Sequence, residues 1–190
     1  MTSLHDIAIR QCKDSEYATS EDFRRIFSEH LGGLYQLSFL LTGDHETARR
    51  CFVAGLEDAV KTNDVFQEWA HAWAKRAIIK NAIRELQPHS SGPEPEPPSR
   101  VTAFRDKSKL QASGQGHFEI ESVLALKNFE RFVFVMSVLE AYPEHECAAL
   151  IGCSIRDICT ARSRALERLA KSVLSDLYGQ DSFHQLQEIH

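Results

Sequence analysis

Nothing in this 190-residue sequence alternates apolar and polar residues with the two-residue period of a strand, and no apolar run approaches a membrane span. Met1 to Arg10 lack the apolar core of a secretion signal, so a cytoplasmic location without membrane contact is expected. The five cysteines, Cys12, Cys51, Cys147, Cys153 and Cys159, form an odd set with no Cys-x-x-Cys pair. That pattern favours structural thiols over a zinc site, and redox sensing by the last three has only their proximity behind it. The nine histidines are scattered, no His-x-x-x-His pair occupies a shared face, and no Gly-rich phosphate loop occurs. Enzyme chemistry, a metal and a cofactor are therefore not expected. Excess positive charge is also missing: the net charge of -5 excludes a blanket nucleic-acid coat, because nonspecific affinity comes mostly from Lys and Arg neutralising phosphates.

Helical periodicity is what the sequence has. The expected fold is all-α: two small helical bundles joined by a flexible linker, the second containing a helix-turn-helix. Residues 1–18 have no sustained period and read as a loose arm. Thr19 to Asp22 have the form of a capping box, and Phe23, Ile26, Phe27, Leu31, Leu34, Leu37 and Leu41 then recur every three or four residues, which predicts one long helix stopped by Gly43. A second helix is expected over His45 to Lys61. A third starts near Asp64 to Gln67, carries Trp69, Trp73, Ala77 and Ile83, and ends at Pro88. These helices make a bundle over 19–87. The Pro-, Ser- and Gly-rich stretch 88–117 reads as linker. Periodicity returns at Glu121 with Leu124, Phe129, Phe132, Val133, Met136 and Leu139, opening a second domain over 118–178, and 179–190 form a tail.

Glu144 to Ile151 predict a helix that ends at Gly152, a residue able to take positive φ without steric cost. Ser154 and Asp157 then form a second capping box, opening a helix through Leu169 that extends to Leu177 or Tyr178. Two helices joined so tightly cross steeply and leave the outer face of the second free for a DNA groove. A packing hairpin has the same pattern. At 3.6 residues per turn, Ile155, Ile158, Ala165, Leu166, Leu169 and Val173 define one buried stripe with Arg162 near its middle. Arg162 must then snorkel or pair with a carboxylate of the preceding helices. Arg156, Thr160, Arg164 and Lys171 lie opposite and, with Arg168, are the candidate DNA contacts.

The run Glu146-Cys147-Ala148-Ala149-Leu150-Ile151-Gly152-Cys153-Ser154-Ile155, continued by Ile158 and Ser163-Arg164-Ala165-Leu166, resembles the promoter-binding helix-turn-helix of small bacterial sigma factors, the extracytoplasmic-function group. Glu130-Arg131-Phe132-Val133-Phe134-Val135-Met136 with Leu139-Glu140 resembles the helix that precedes it there. Leu34-Tyr35-Gln36-Leu37 and Leu40-Leu41-Thr42-Gly43-Asp44 resemble the first helix and turn of the polymerase-binding region, and Trp69, Trp73 and Lys80-Asn81-Ala82-Ile83-Arg84 its third helix. The matches cover about two thirds of the chain, in the family's order.

The resemblance implies a transcription regulator that binds core RNA polymerase and directs it to promoter DNA. An anti-sigma protein is a further partner, and the free chain is expected to be a monomer. Polymerase binding is assigned to the stretch containing Arg49, Arg50 and Val53, where the family is usually acidic. Cys159 and Ala161 occupy positions that are usually basic. Both departures favour the alternative of a degenerate sigma-like protein that regulates through protein interactions without opening promoters. On the third helix, Lys75, Arg76, Lys80, Asn81 and Arg84 could follow a phosphate backbone or form a solvated face. Core packing is the preferred reading of Trp69 and Trp73.

Overall fold

A computed structural model describes residues 16–62, 64–88 and 120–184, with side chains to residue 174. The expected arm over residues 1–15, the linker after Pro88 and the last residues of the tail lie outside the described residues. The described residues are all-α, with no strand beyond one isolated antiparallel bridge, Tyr17 to Phe66. Their contacts divide the chain into two compact units, Met1–Pro88 with Ala148–Gly152, and His89–Cys147 with Cys153–His190.

In the first unit, α1 spans Ser20–Glu29, α2 Leu31–Thr42, α3 His45–Val60 and α4 Ala70–Leu86, preceded by a 3-10 turn at Gln67–Trp69. Both halves of the Thr19/Asp22 capping box are present. The single long helix expected up to Leu41 is instead two, because His30 leaves helical geometry (φ -105°, ψ 23°). The poor helix formers Gly32 and Gly33 follow the break. Gly43 ends α2 at φ 81°, as the sequence predicts, and Asp44 caps α3 by accepting from the Thr47 amide at 2.9 Å. Phe23, Leu34, Leu41, Ile78 and Ile79 fill the core. Buried Ser38 ties α2 to α3 by donating to the Ala48 carbonyl at 2.8 Å. The closest approach is at Gly55 of α3, where a Cβ would stand 2.8 Å from Ile78 Cγ1 and 3.1 Å from the Ile78 amide nitrogen. The expected arm extends too far: the Ala18 amide donates to Val65 and the Gln67 amide to Glu16, so residues 16–18 belong to the bundle.

In the second unit, α5 spans Ile120–Leu124 and α6 Asn128–Phe134, continued by a π-helical turn Val135–Leu139. The period read from Glu121 is thus interrupted. Buried Arg131 closes the interruption by donating to the carbonyls of Leu124 (3.2 Å) and Leu126 (3.4 Å) and to Asn128 Oδ1 (2.7 Å). Phe129 to Met136 are buried all round. Leu139, expected in the core, is 44% exposed, because the wider π turn rotates the following positions off the α-helical stripe. Helix α7 spans Glu144–Ile151, its residues from Ala148 on being grouped with the first unit, and α8 spans Ile155–His184. Gly179 does not stop α8, which runs past the expected end at Tyr178.

Candidate nucleic-acid interface

The turn before α8 follows from two local features. Gly152 adopts φ 82°, a conformation that costs a side-chain-bearing residue about 1–2 kcal/mol. Ser154 Oγ then accepts from the Asp157 amide at 3.1 Å, while its own amide donates to the Asp157 carboxylate at 3.3 Å. The start of α8 is therefore defined by its own residues.

On α8, Ile158, Ala161, Ala165 and Leu169 are buried. This stripe differs from the expected one: Ile155 is 49%, Leu166 38% and Val173 39% exposed, and Ala161 replaces them at the centre. The 3-4-4 spacing from Ile158 follows the 3.6-residue turn more closely than the expected set did. Ala161 therefore faces the core, where a long cation would have no room. Arg162 lies on the flank and pairs with Glu144 of α7 at 2.6 Å, the second of the two expected outcomes.

Arg156, Thr160, Arg164, Arg168 and Lys171 are all exposed, and their charges are unequally engaged. Arg168 Nη1 lies 2.9 Å from Oε2 of Glu130, a carboxylate whose side chain is only 8% exposed. The approach is off-axis, so Oε2 has a charge partner but no hydrogen-bond donor. Lys171 pairs with Glu167 at 2.7 Å. Thr160 Oγ1 donates to the Arg156 carbonyl. These acids serve Arg162, Arg168 and Lys171, which leaves Arg156 and Arg164 without an ion pair among the described residues.

A second basic surface lies on α4. Lys61, Trp73, Arg76, Lys80 and Arg84 line an open hollow of about 290 Å³ together with Asp58. Lys80 Nζ stands 5.5 Å from the Trp73 ring centre. Asn81 does not join this surface. It is buried, and its amide donates to Asp58 (2.9 Å) and to the Ala77 carbonyl (2.9 Å). Arg84 reaches both Asp58 (3.0 Å) and Asn81 Oδ1 (3.3 Å). The hydrogen bond from Asn81, then Arg84, holds the Asp58 carboxyl below its usual pKa against the opposing effect of burial. Asp58 organises this corner, a role that sequence spacing did not indicate. Trp73 is half-buried beside Lys80, and Lys75 is half-buried on the same helix. Trp69, expected in the core, is 58% exposed because the 3-10 turn places it before α4 proper.

On α3, Arg49 pairs with Glu46 at 2.9 Å, Arg50 with Glu85 at 2.7 Å, and Val53 is 44% exposed. These ion pairs are solvent-facing and contribute little to stability. Among the described thiols, Cys51 and Cys147 are pushed up to about 11 by burial, and Cys153 and Cys159 are also raised, first by desolvation. Such thiols hold little thiolate at neutral pH, the form that reacts in redox chemistry. Among the described residues, no group of three His, Cys, Asp or Glu could hold a metal ion, and no helix is long and apolar enough to cross a membrane.

The described residues define an all-helical protein of two units, the second ending in a long helix with a polar, partly basic outer face. No family model matches the chain, and no curated protein matches it. Among solved structures it is similar to the sigma factor RpoE of Bartonella quintana, determined in complex with the anti-sigma factor NepR. That likeness has 18% identity and a TM-score of 0.46, and covers 82% of this chain and 99% of that one.

Proposed function

We propose that this chain is a sigma-type regulator of transcription initiation, reading promoter DNA with α8 while the first unit binds core RNA polymerase. One observation carries the DNA half of this reading. Behind a glycine turn and a capping box, Arg156, Thr160 and Arg164 share the outer face of α8, with both guanidinium groups outside any ion pair among the described residues. A free cation releases a counterion on meeting a phosphate without first breaking an internal pair. The hollow on α4 gathers Lys61, Arg76, Lys80 and Arg84, of which Lys61 pairs with Glu57 and Arg84 with Asp58, and suits a second stretch of phosphate backbone. Two weak contacts on one chain raise each other's effective concentration, so neither needs to be strong.

A salt titration of binding to a promoter-fragment library tests the DNA half. Arg164→Ala should weaken binding and flatten the salt dependence by about one phosphate contact, while Arg162→Leu should leave affinity unchanged. If Arg162→Leu abolishes binding in a folded protein and Arg164→Ala does nothing, the face assignment is wrong.

A second reading is favoured by specific pairs: Arg168 is held by Glu130, Lys171 by Glu167, and Arg49 and Arg50 by Glu46 and Glu85. A chain with so many cations neutralised internally suits a protein-interaction regulator that binds polymerase, a sigma factor or an anti-sigma partner without opening DNA. Pull-down with core polymerase followed by transcription from the same fragments separates the readings. Binding with transcript supports the first, and binding without transcript the second.

A further inference from the structure

The surface built by Glu16–Ala18 and Val65–Trp69 belongs to neither basic face. Here Tyr17 stacks on Phe66 with centroids 4.7 Å apart, and Phe66 meets Trp69 edge-on at 5.2 Å. The Tyr17 to Phe66 bridge fixes this ladder from below, through the Ala18 to Val65 (2.7 Å) and Gln67 to Glu16 (3.0 Å) backbone bonds. The indole is thus held on an ordered support yet remains 58% exposed. A scattered exposed apolar side chain is ordinary, but an aromatic fixed by other aromatics has already lost the rotamer freedom that binding would otherwise cost.

Charge defines what this surface can take. Glu16, Asp64 and Glu68 are exposed on the same two segments, and none forms an ion pair among the described residues. Neither residues 15–23 nor residues 62–74 contain a lysine or arginine. Carboxylates repel anions and attract cations, and an indole face attracts a guanidinium or ammonium through its quadrupole. We propose that the Tyr17–Phe66–Trp69 ladder is a docking surface for an arginine- or lysine-bearing peptide segment of a partner protein. The cation rests on Trp69 and its charge is matched by Glu16, Asp64 and Glu68. None of this surface's residues lines the α4 hollow.

The experiment uses the full chain and a fluorescein-labelled peptide of alternating arginine and glycine, followed by anisotropy at physiological salt. Saturable binding is expected. Trp69→Ala, which leaves the net charge unchanged, should weaken it about fivefold. Trp69→Phe should keep part of the affinity, and the combined Glu16→Gln, Asp64→Asn and Glu68→Gln variant should abolish it. Circular dichroism verifies folding; should Trp69→Ala unfold, the Phe and triple variants decide. Absence of saturable binding overturns the proposal. Equal affinity of the wild-type, Trp69→Ala and Trp69→Phe chains does so too, since the peptide would then respond only to net charge. Full binding by the triple variant would remove the proposed carboxylates from the site.

Discussion

Replacing Gly55 by alanine should destabilise the first unit, although alanine is the better helix former. On an open helix face the substitution gains up to about 1 kcal/mol from helix propensity. At Gly55 the new Cβ meets Ile78 at 2.8 Å from Cγ1, 3.1 Å from the amide nitrogen and 3.2 Å from Cα. Cγ1 could turn aside, but the other two atoms are backbone of a fully buried residue in α4, so α3 and α4 must separate. Overpacking of this kind costs about 1–3 kcal/mol. Net of propensity, a loss of up to about 2 kcal/mol is expected, which lowers the Tm of a unit this size by up to about 8–16 °C. Gly33→Ala is the control, since a Cβ there has no neighbour within 4 Å, and it should be neutral or stabilising by about 0.5 kcal/mol. Both tryptophans, Trp69 and Trp73, belong to the first unit, so their fluorescence follows its unfolding directly. A Tm for Gly55→Ala equal to or above wild type would refute the close approach of α3 and α4.

Other substitutions separate stability from binding. Gly152→Ala should cost about 1–2 kcal/mol in a urea melt, from backbone strain alone, because its φ is 82° and no atom lies within 4 Å of the added Cβ. Gly152→Asn should recover part of that loss, and equal melts for all three chains would contradict the left-handed turn. Arg168→Ala should destabilise the second unit by about 2 kcal/mol, less than a fully buried pair because Arg168 is 46% exposed, since it strands the Glu130 carboxylate. Arg164→Ala, with no such partner, should leave the melting temperature within about 1 °C of wild type, and the reverse order would reassign the two arginines. Asp22 is held below the usual carboxylate range, chiefly by the Thr19 hydroxyl. Its contribution is therefore present above the unfolded-state pKa and lost as pH falls through the folded value. Thr19→Val should flatten that acid limb of the Tm profile, whereas an unchanged limb would dissociate the cap from the titration.

Much of the helical plan was legible because punctuation and periodicity agree. Gly43 and Gly152 both adopt the left-handed conformation, and both capping boxes form. These signals work because the responsible groups are within a few residues of one another. The break at His30, the interruption after Leu124 and the π turn at Val135 were not legible. Each preserves an apolar repeat while changing the backbone that carries it, and periodicity records only the repeat. Arg131 illustrates the difficulty: a charged residue in an apolar run is buried here because it closes a turn by donating to the carbonyls five and seven residues back and to the Asn128 side chain.

The interface was legible as a set of cations but not as a set of available cations. Arg156, Arg164 and Arg168 look alike in sequence, yet Arg168 is paired with an acid 38 positions earlier (168 − 130) on α6. Asn81 likewise matched a motif string, although its amide is spent within the bundle on Asp58 and Ala77. A phosphate arriving at Arg168 would have to replace Glu130 and leave that buried carboxylate without its countercharge, a cost absent at Arg156 and Arg164. Phosphate affinity should therefore be concentrated near the start and middle of the exposed face of α8. Partner identity, more than the number of basic residues, sets how strongly this helix can bind a polyanion.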